Sequence, residues 1–151
     1  MIVKKKTLAM NNVICAKSTM KQENMGTAAL AMRAAIIEKG LYPTGPIVYQ
    51  KTALENGEHE YKLYVSVNHP VDIKEERGIS FIPKLEVQEG LCMRHLSEDD
   101  DVEKEYLVLE ECARKNHMEL EKPFFHICMN VYGETVVDIF APICEGEKND
   151  I

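Results

Sequence analysis

The chain has 151 residues, 45% of them apolar and 28% charged, and a formal net charge of −7, the balance of one globular domain long enough to bury a core. No apolar run approaches the ~20 residues that a bilayer-spanning helix needs, and no long apolar stretch follows Lys4-Lys5-Lys6, so neither a membrane segment nor a secretory leader is expected and the protein reads as cytoplasmic. That lysine run is the only basic cluster and is too short to track a phosphate backbone, which argues against direct nucleic-acid binding.

After an N-terminal segment over residues 1–10, Asn11 to Ser18 alternates weakly and predicts a strand. Met25 to Lys39 is rich in helix formers. Met25, Ala29, Met32 and Ile36 recur at helical spacing, Asn24 is placed to cap the start, and Gly40 is placed to stop the end. A turn over 41–45 leads to a strand from Pro46 to Thr52. Asn56-Gly57 then marks a hairpin into the alternating strand Tyr61, Leu63, Val65, Val67. The polar stretch from His69 to Gly78 separates two halves, about 11–70 and 79–144, of a single domain over 11–144.

The second half predicts strands over Phe81–Val87 and Leu91–Leu96 around a turn at Gln88-Glu89-Gly90. A helix begins at Ser97 with Asp100 three residues on, and buries Val102, Tyr106, Leu109 and Ala113. Strands over Pro123–Asn130 and Thr135–Ile143 follow, joined by a turn at 132–134, and an acidic tail occupies 145–151. Pro46 and Pro123 stand in corresponding places, an offset of 123 − 46 = 77, and the same offset takes Met25 to Val102 and Ile14 to Leu91. The fold class expected is α+β: two βαββ repeats with pseudo-twofold symmetry, an antiparallel sheet with two helices on one face.

Alternation sorts Pro123–Asn130 into two faces. Phe125, Ile127 and Met129 are expected to pack on the helices, and Phe124, His126, Cys128 and Asn130 to face away. The 77-residue offset sets Tyr49 against His126, with Tyr61 or Tyr64 on the paired strand. Aromatics with a few polar heads suit a small-molecule pocket, although the same face also reads as a solvated sheet surface. The five cysteines, Cys15, Cys92, Cys112, Cys128 and Cys144, are odd in number and lack the spacing of a metal knuckle, so they read as reduced, mostly buried thiols.

Three further constellations are weaker. His126, Cys128 and Cys92 barely reach the ligand count of a zinc site. A cysteine nucleophile with His126 as base lacks an orienting acid. Glu98 to Asp101 lacks the spacing and glycine of a calcium loop and suits a helix start. No metal, cofactor or catalytic residue is therefore expected.

Lys122-Pro123-Phe124-Phe125-His126-Ile127-Cys128-Met129-Asn130, then Val137-Asp138-Ile139-Phe140-Ala141-Pro142-Ile143, together with Leu41-Tyr42-Pro43-Thr44-Gly45-Pro46, resemble the GyrI-like small-molecule-binding domain, the effector-binding domain of many multidrug-responsive bacterial regulators. The resemblance runs from about Asn11 to Ile143. It implies a ligand pocket between two βαββ halves, lined here by Tyr49, Tyr61, Tyr64, Phe124, His126 and Cys128. Family members place a glutamate, which favours cationic ligands, where this chain has His126. The ligand expected is therefore a small apolar or aromatic molecule, neutral or weakly acidic, bound by a module that acts through a separate partner. The alternative is a protein-interaction module, an adaptor, inhibitor or chaperone using its sheet face or acidic surface; an enzyme ranks below both.

Overall fold

A computed structural model describes residues 2–74, 77–95 and 101–144. Ser97 and Asp100, the predicted helix start, and the acidic tail lie outside them. The elements are β1 (Lys4–Met20), α1 (Met25–Glu38), β2 (Ile47–Ala53), β3 (His59–Ser66), β4 (Ile79–His95), α2 (Glu103–Lys115), β5 (Phe125–Val131) and β6 (Glu134–Pro142). The class is α+β, with two helices and antiparallel strand pairing. Among the described residues no helix is long and apolar enough to cross a membrane. The chain forms two compact units, Met10–Leu85 and Met1–Ala9 with Glu86–Ile151.

In the first unit β3 is central. β1 pairs with it from Val13↔Ser66 to Met20↔His59, and β2 from Val48↔Tyr64 to Ala53↔His59. The Asn-Gly signal works as read. Gly57 takes φ +85°, a conformation that costs glycine little, and the Asn56 side-chain oxygen accepts from the Glu58 N–H at 3.0 Å. Gly40 likewise ends α1. At φ +79° it donates its N–H to the Ile37 carbonyl while Leu41 donates to Ile36 at 3.2 Å, a Schellman closure in which Leu41 also joins the Ile36 core. At the other end Asn24 makes no side-chain capping bond, contrary to expectation. Of the predicted stripe on α1 only Ile36 is fully buried, against Ile14, Val65 and Val67.

In the second unit β6 is central. β4 pairs with it from Gly90↔Pro142 to His95↔Val137, and β5 from Phe125↔Phe140 to Val131↔Glu134. α2 lays Val102, Leu109 and Ala113 on Leu91, Met93, Ile139 and Ala141, with Tyr106 packed at the edge, so its predicted stripe is found. Its first turn is held by Asp101, whose carboxylate accepts from the Glu103 N–H at 3.0 Å. The β5–β6 turn uses positive φ at Tyr132 and Gly133, 53° and 83°, as a two-residue hairpin requires.

The predicted turn at Gln88-Glu89-Gly90 is not one: β4 is unbroken from Ile79 to His95. Gly90 serves packing instead. A Cβ there would run into the ring of Phe140, which is 1% exposed and lies edge-on to Phe125 at 6.3 Å. Gly90→Val should therefore destabilise the protein by about 1–3 kcal/mol through overpacking, read from urea unfolding, and Phe140→Leu in the same chain should return part of the loss. An unchanged midpoint for Gly90→Val would mean that the ring moves aside freely.

Candidate functional site

Strand parity decides where each predicted site residue points. On β3, Tyr61, Leu63 and Val65 share one face, and Val65 packs on Ile36 of α1. Tyr49 lies opposite Leu63, and Lys51 opposite Tyr61, so both join that face. Tyr49 and Tyr61 place their ring centroids 6.0 Å apart, and His59 stands 5.8 Å from Tyr61. Tyr61 is 1% exposed. Its hydroxyl and Nδ1 of His59 are buried and have no hydrogen-bond partner among the described residues. Burial pushes the Tyr61 hydroxyl up from its ordinary pKa.

Tyr64 takes the opposite face. Its hydroxyl donates to the Gln50 side-chain oxygen at 2.6 Å. Burial, with a smaller contribution from Cys15, pushes its pKa up to about 12. Tyr61 and Tyr64 were interchangeable in the sequence; the geometry separates them, one with Tyr49 and one with Gln50.

In the second unit the expected faces are reversed. His126 lies opposite Ile139, a residue of the α2-facing core, whereas Phe125 lies opposite Phe140. His126 and Cys128 therefore face α2, and Phe125, Ile127 and Met129 face away. Phe124 also turns inward, edge-on to Tyr106 at 5.4 Å. The physical reason is a partner contributed by the helix. Nε2 of His126, 1% exposed, shares a 2.5 Å hydrogen bond with the Tyr106 hydroxyl, and a buried imidazole so satisfied costs little.

Next to Tyr106 in the sequence, Glu105 engages Nδ1 of His95 through Oε1 at 2.7 Å, with side chains 9% and 7% exposed. Its Oε2 has no partner among the described residues. Sequence reasoning missed His59, His95, Glu105 and the role of Tyr106. Only one signal was available for the last two: Glu105 falls inside the apolar stripe of α2, where a carboxylate is out of place unless paired.

The thiols discourage a nucleophile. Burial pushes Cys128 up to about 11, which leaves it protonated near neutrality. Cys92 lies opposite Phe140, on the face away from His126. Among the described residues no three His, Cys, Asp or Glu side chains gather as metal ligands.

The match to known families covers residues 9–144. The chain belongs to the family described as a domain of unknown function, DUF5085. No curated protein matches it closely enough to count. Among solved structures, the EcmrR C-terminal domain is similar with a TM-score of 0.68 at 15% identity, covering 95% of this chain and 99% of that one. EcmrR in its DNA complex matches with the same score at 13% identity over 93% of this chain, which spans only 57% of the EcmrR chain. SAV2435 bound to tetraphenylphosphonium has a TM-score of 0.55 at 11% identity, covering 99% and 98%, and a hydrolase from Listeria innocua 0.62 at 7% identity, covering 93% and 92%. The DUF5085 chain thus has the GyrI-like effector-binding fold.

Two outcomes follow from this geometry. Tyr106→Phe should remove the bond to Nε2 of His126 and cost about 1–3 kcal/mol, while Tyr106→Phe with His126→Leu should be more stable than the single variant; equal stability of the single variant and the parent would sink the pairing. The protonated Cys128 thiol contributes stability that is complete below the ordinary thiol pKa and declines as pH rises through about 11. Unfolding midpoints between pH 8 and 11 should fall less steeply in Cys128→Ala than in the parent chain.

Proposed function

We propose that this DUF5085 protein is a small-molecule-binding module whose ligand is aromatic and neutral or weakly acidic. The observation that carries the reading is the trio Tyr49, Tyr61 and His59. Three rings converge, and two buried polar atoms among them, the Tyr61 hydroxyl and Nδ1 of His59, have no partner among the described residues. Leaving such atoms unpaired costs about 1–3 kcal/mol each, a cost that a hydrogen-bonding ligand would remove. The trio contains no carboxylate, which favours an uncharged or acidic ligand over a cation. The fold shared with the EcmrR C-terminal domain and with tetraphenylphosphonium-bound SAV2435 supports ligand binding in general.

The protein is cytoplasmic, and any regulatory effect passes through a separate partner. The two halves are structural repeats: each runs strand, helix, strand, strand, and the isolated bridges Pro43↔Val67 and Leu120↔Ile143 recur at nearly the same offset. A protein-interaction role is the second reading, favoured by Leu30 and Ile37, two turns apart on α1 and 68% and 53% exposed.

Native mass spectrometry of protein purified from its own host tests the first reading. A retained small molecule is expected, and it should be lost from Tyr61→Phe. In ligand-free protein the same substitution deletes an unpaired hydroxyl, so thermal stability should be unchanged or higher. Tight binding of tetraphenylphosphonium that disappears in Glu105→Gln would overturn the proposed ligand class, and a co-purifying polypeptide in place of the small molecule would favour the second reading.

A further inference from the structure

Away from the trio, a cleft of about 440 Å³ opens in the second unit, lined by Ile2, Lys4, Lys6, Cys92, Arg94 and Asp138 among others. Its charge is opposite to that of the chain. Strand alternation puts Lys4 and Lys6 on one side of β1, while Lys5 and Thr7 take the other, where Lys5 approaches Glu89 at 3.9 Å and the Thr7 hydroxyl donates to the Gln88 carbonyl at 2.7 Å. Lys4 and Lys6 make no ion pair among the described residues.

Arg94 is held in place. Its Nε–H donates to Asp138 Oδ1 at 2.8 Å and its Nη2–H to Oδ2 at 3.3 Å. That fork neutralises the one carboxylate of the lining and leaves further guanidinium donors, on a side chain 51% exposed. Three cations against one carboxylate leave a formal charge of 3 − 1 = +2, in a protein whose total is −7. The remaining lining is apolar, with Ile2 at the rim and the buried Cys92 beneath. The Cys92 thiol is pushed up, by burial first and by Asp138 second, against the pull of Lys6 and Arg94, so it enters as a neutral apolar surface.

We infer that this cleft is a binding site for a small organic anion, an oxyanion head on an apolar body, with Lys4, Lys6 and Arg94 around the head and Ile2 and Cys92 against the body. The inference is independent of the Tyr49, Tyr61 and His59 reading, since every residue named belongs to the second unit. An acidic protein repels anions at long range, so a cationic recess of this size selects them locally. Asp138 orients Arg94 and is a positioning residue.

The probes are 2-naphthoate, its uncharged isostere 2-naphthalenemethanol, and inorganic phosphate, titrated into the full chain labelled with nitrogen-15. Naphthoate should shift the amide resonances of Lys4, Lys6, Cys92 and Arg94, with an affinity that weakens as salt is raised. Lys6→Glu, an exposed substitution that leaves the fold intact by circular dichroism, should weaken it about tenfold, as should replacing naphthoate with the alcohol. Equal binding of acid and alcohol, indifference to both Lys4→Glu and Lys6→Glu, or shifts confined to other residues would overturn the site. Phosphate binding as tightly as naphthoate would overturn the apolar half of the inference.

Discussion

The pairing of Phe125 with Phe140 fixes the chemistry of the second unit. Side chains alternate along a strand, so this one register decides that Phe140 and Asp138 look one way and His126 and Ile139 the other. Phe140 then needs a neighbour without a side chain, and Gly90 is it. His126 needs a polar partner under α2, and Tyr106 is it. Shifted by a single residue, β5 would put an imidazole where an aromatic ring now seats and a phenylalanine against the Tyr106 hydroxyl. Tyr106 makes sense only in this β5–β6 register, and Gly90 and the Arg94–Asp138 fork only in the β4–β6 register.

Elements whose signal is local were legible in the sequence. The Asn56-Gly57 hairpin, the Gly40 stop of α1 and the Val102, Tyr106, Leu109, Ala113 stripe each rest on neighbours within a turn or two. The unbroken β4 was not, because what Gly90 does depends on a ring fifty residues further along the chain. A lone glycine between two apolar runs is read as a turn, and here it is the footprint of Phe140. The faces of β5 failed for a related reason. Both rows of that strand are largely apolar, and the polar residue that seemed to mark the outer row is made comfortable inside by a hydroxyl on α2. Hydrophobicity counts side chains one at a time; burial of a polar group is a property of pairs.

The candidate site shows the same division. The 77-residue offset set Tyr49 against His126 and left Tyr61 or Tyr64 on the paired strand; in the structure the ring of Tyr49 stands 6.0 Å from that of Tyr61. Their companion His59 stands at the start of β3, two residues before the alternating run read from Tyr61, and its contact with the Tyr61 ring at 5.8 Å is a property of the fold. The resemblance to GyrI-like domains directed attention to His126 because that position departs from the family's glutamate. In space α2 brings a buried carboxylate to this unit, Glu105 against His95. A position-by-position comparison finds what is missing at a place and cannot find what another element brings there.

How buried polar groups are satisfied bears on function more than the fold does, since one fold hosts many activities. In the second unit His126 has Tyr106 and His95 has Oε1 of Glu105, while Oε2 of Glu105 has no partner among the described residues. Such pairs specify packing. In the first unit the Tyr61 hydroxyl and Nδ1 of His59 lack partners among the described residues although both are buried, while Tyr64 across the sheet is paired with Gln50. A sequence that satisfies one tyrosine of β3 and not the other, three residues apart, is not short of hydrogen-bonding side chains. On the proposed reading a ligand satisfies the Tyr61 hydroxyl and Nδ1 of His59, and the ring-lined surroundings of Tyr61 set its shape and polarity.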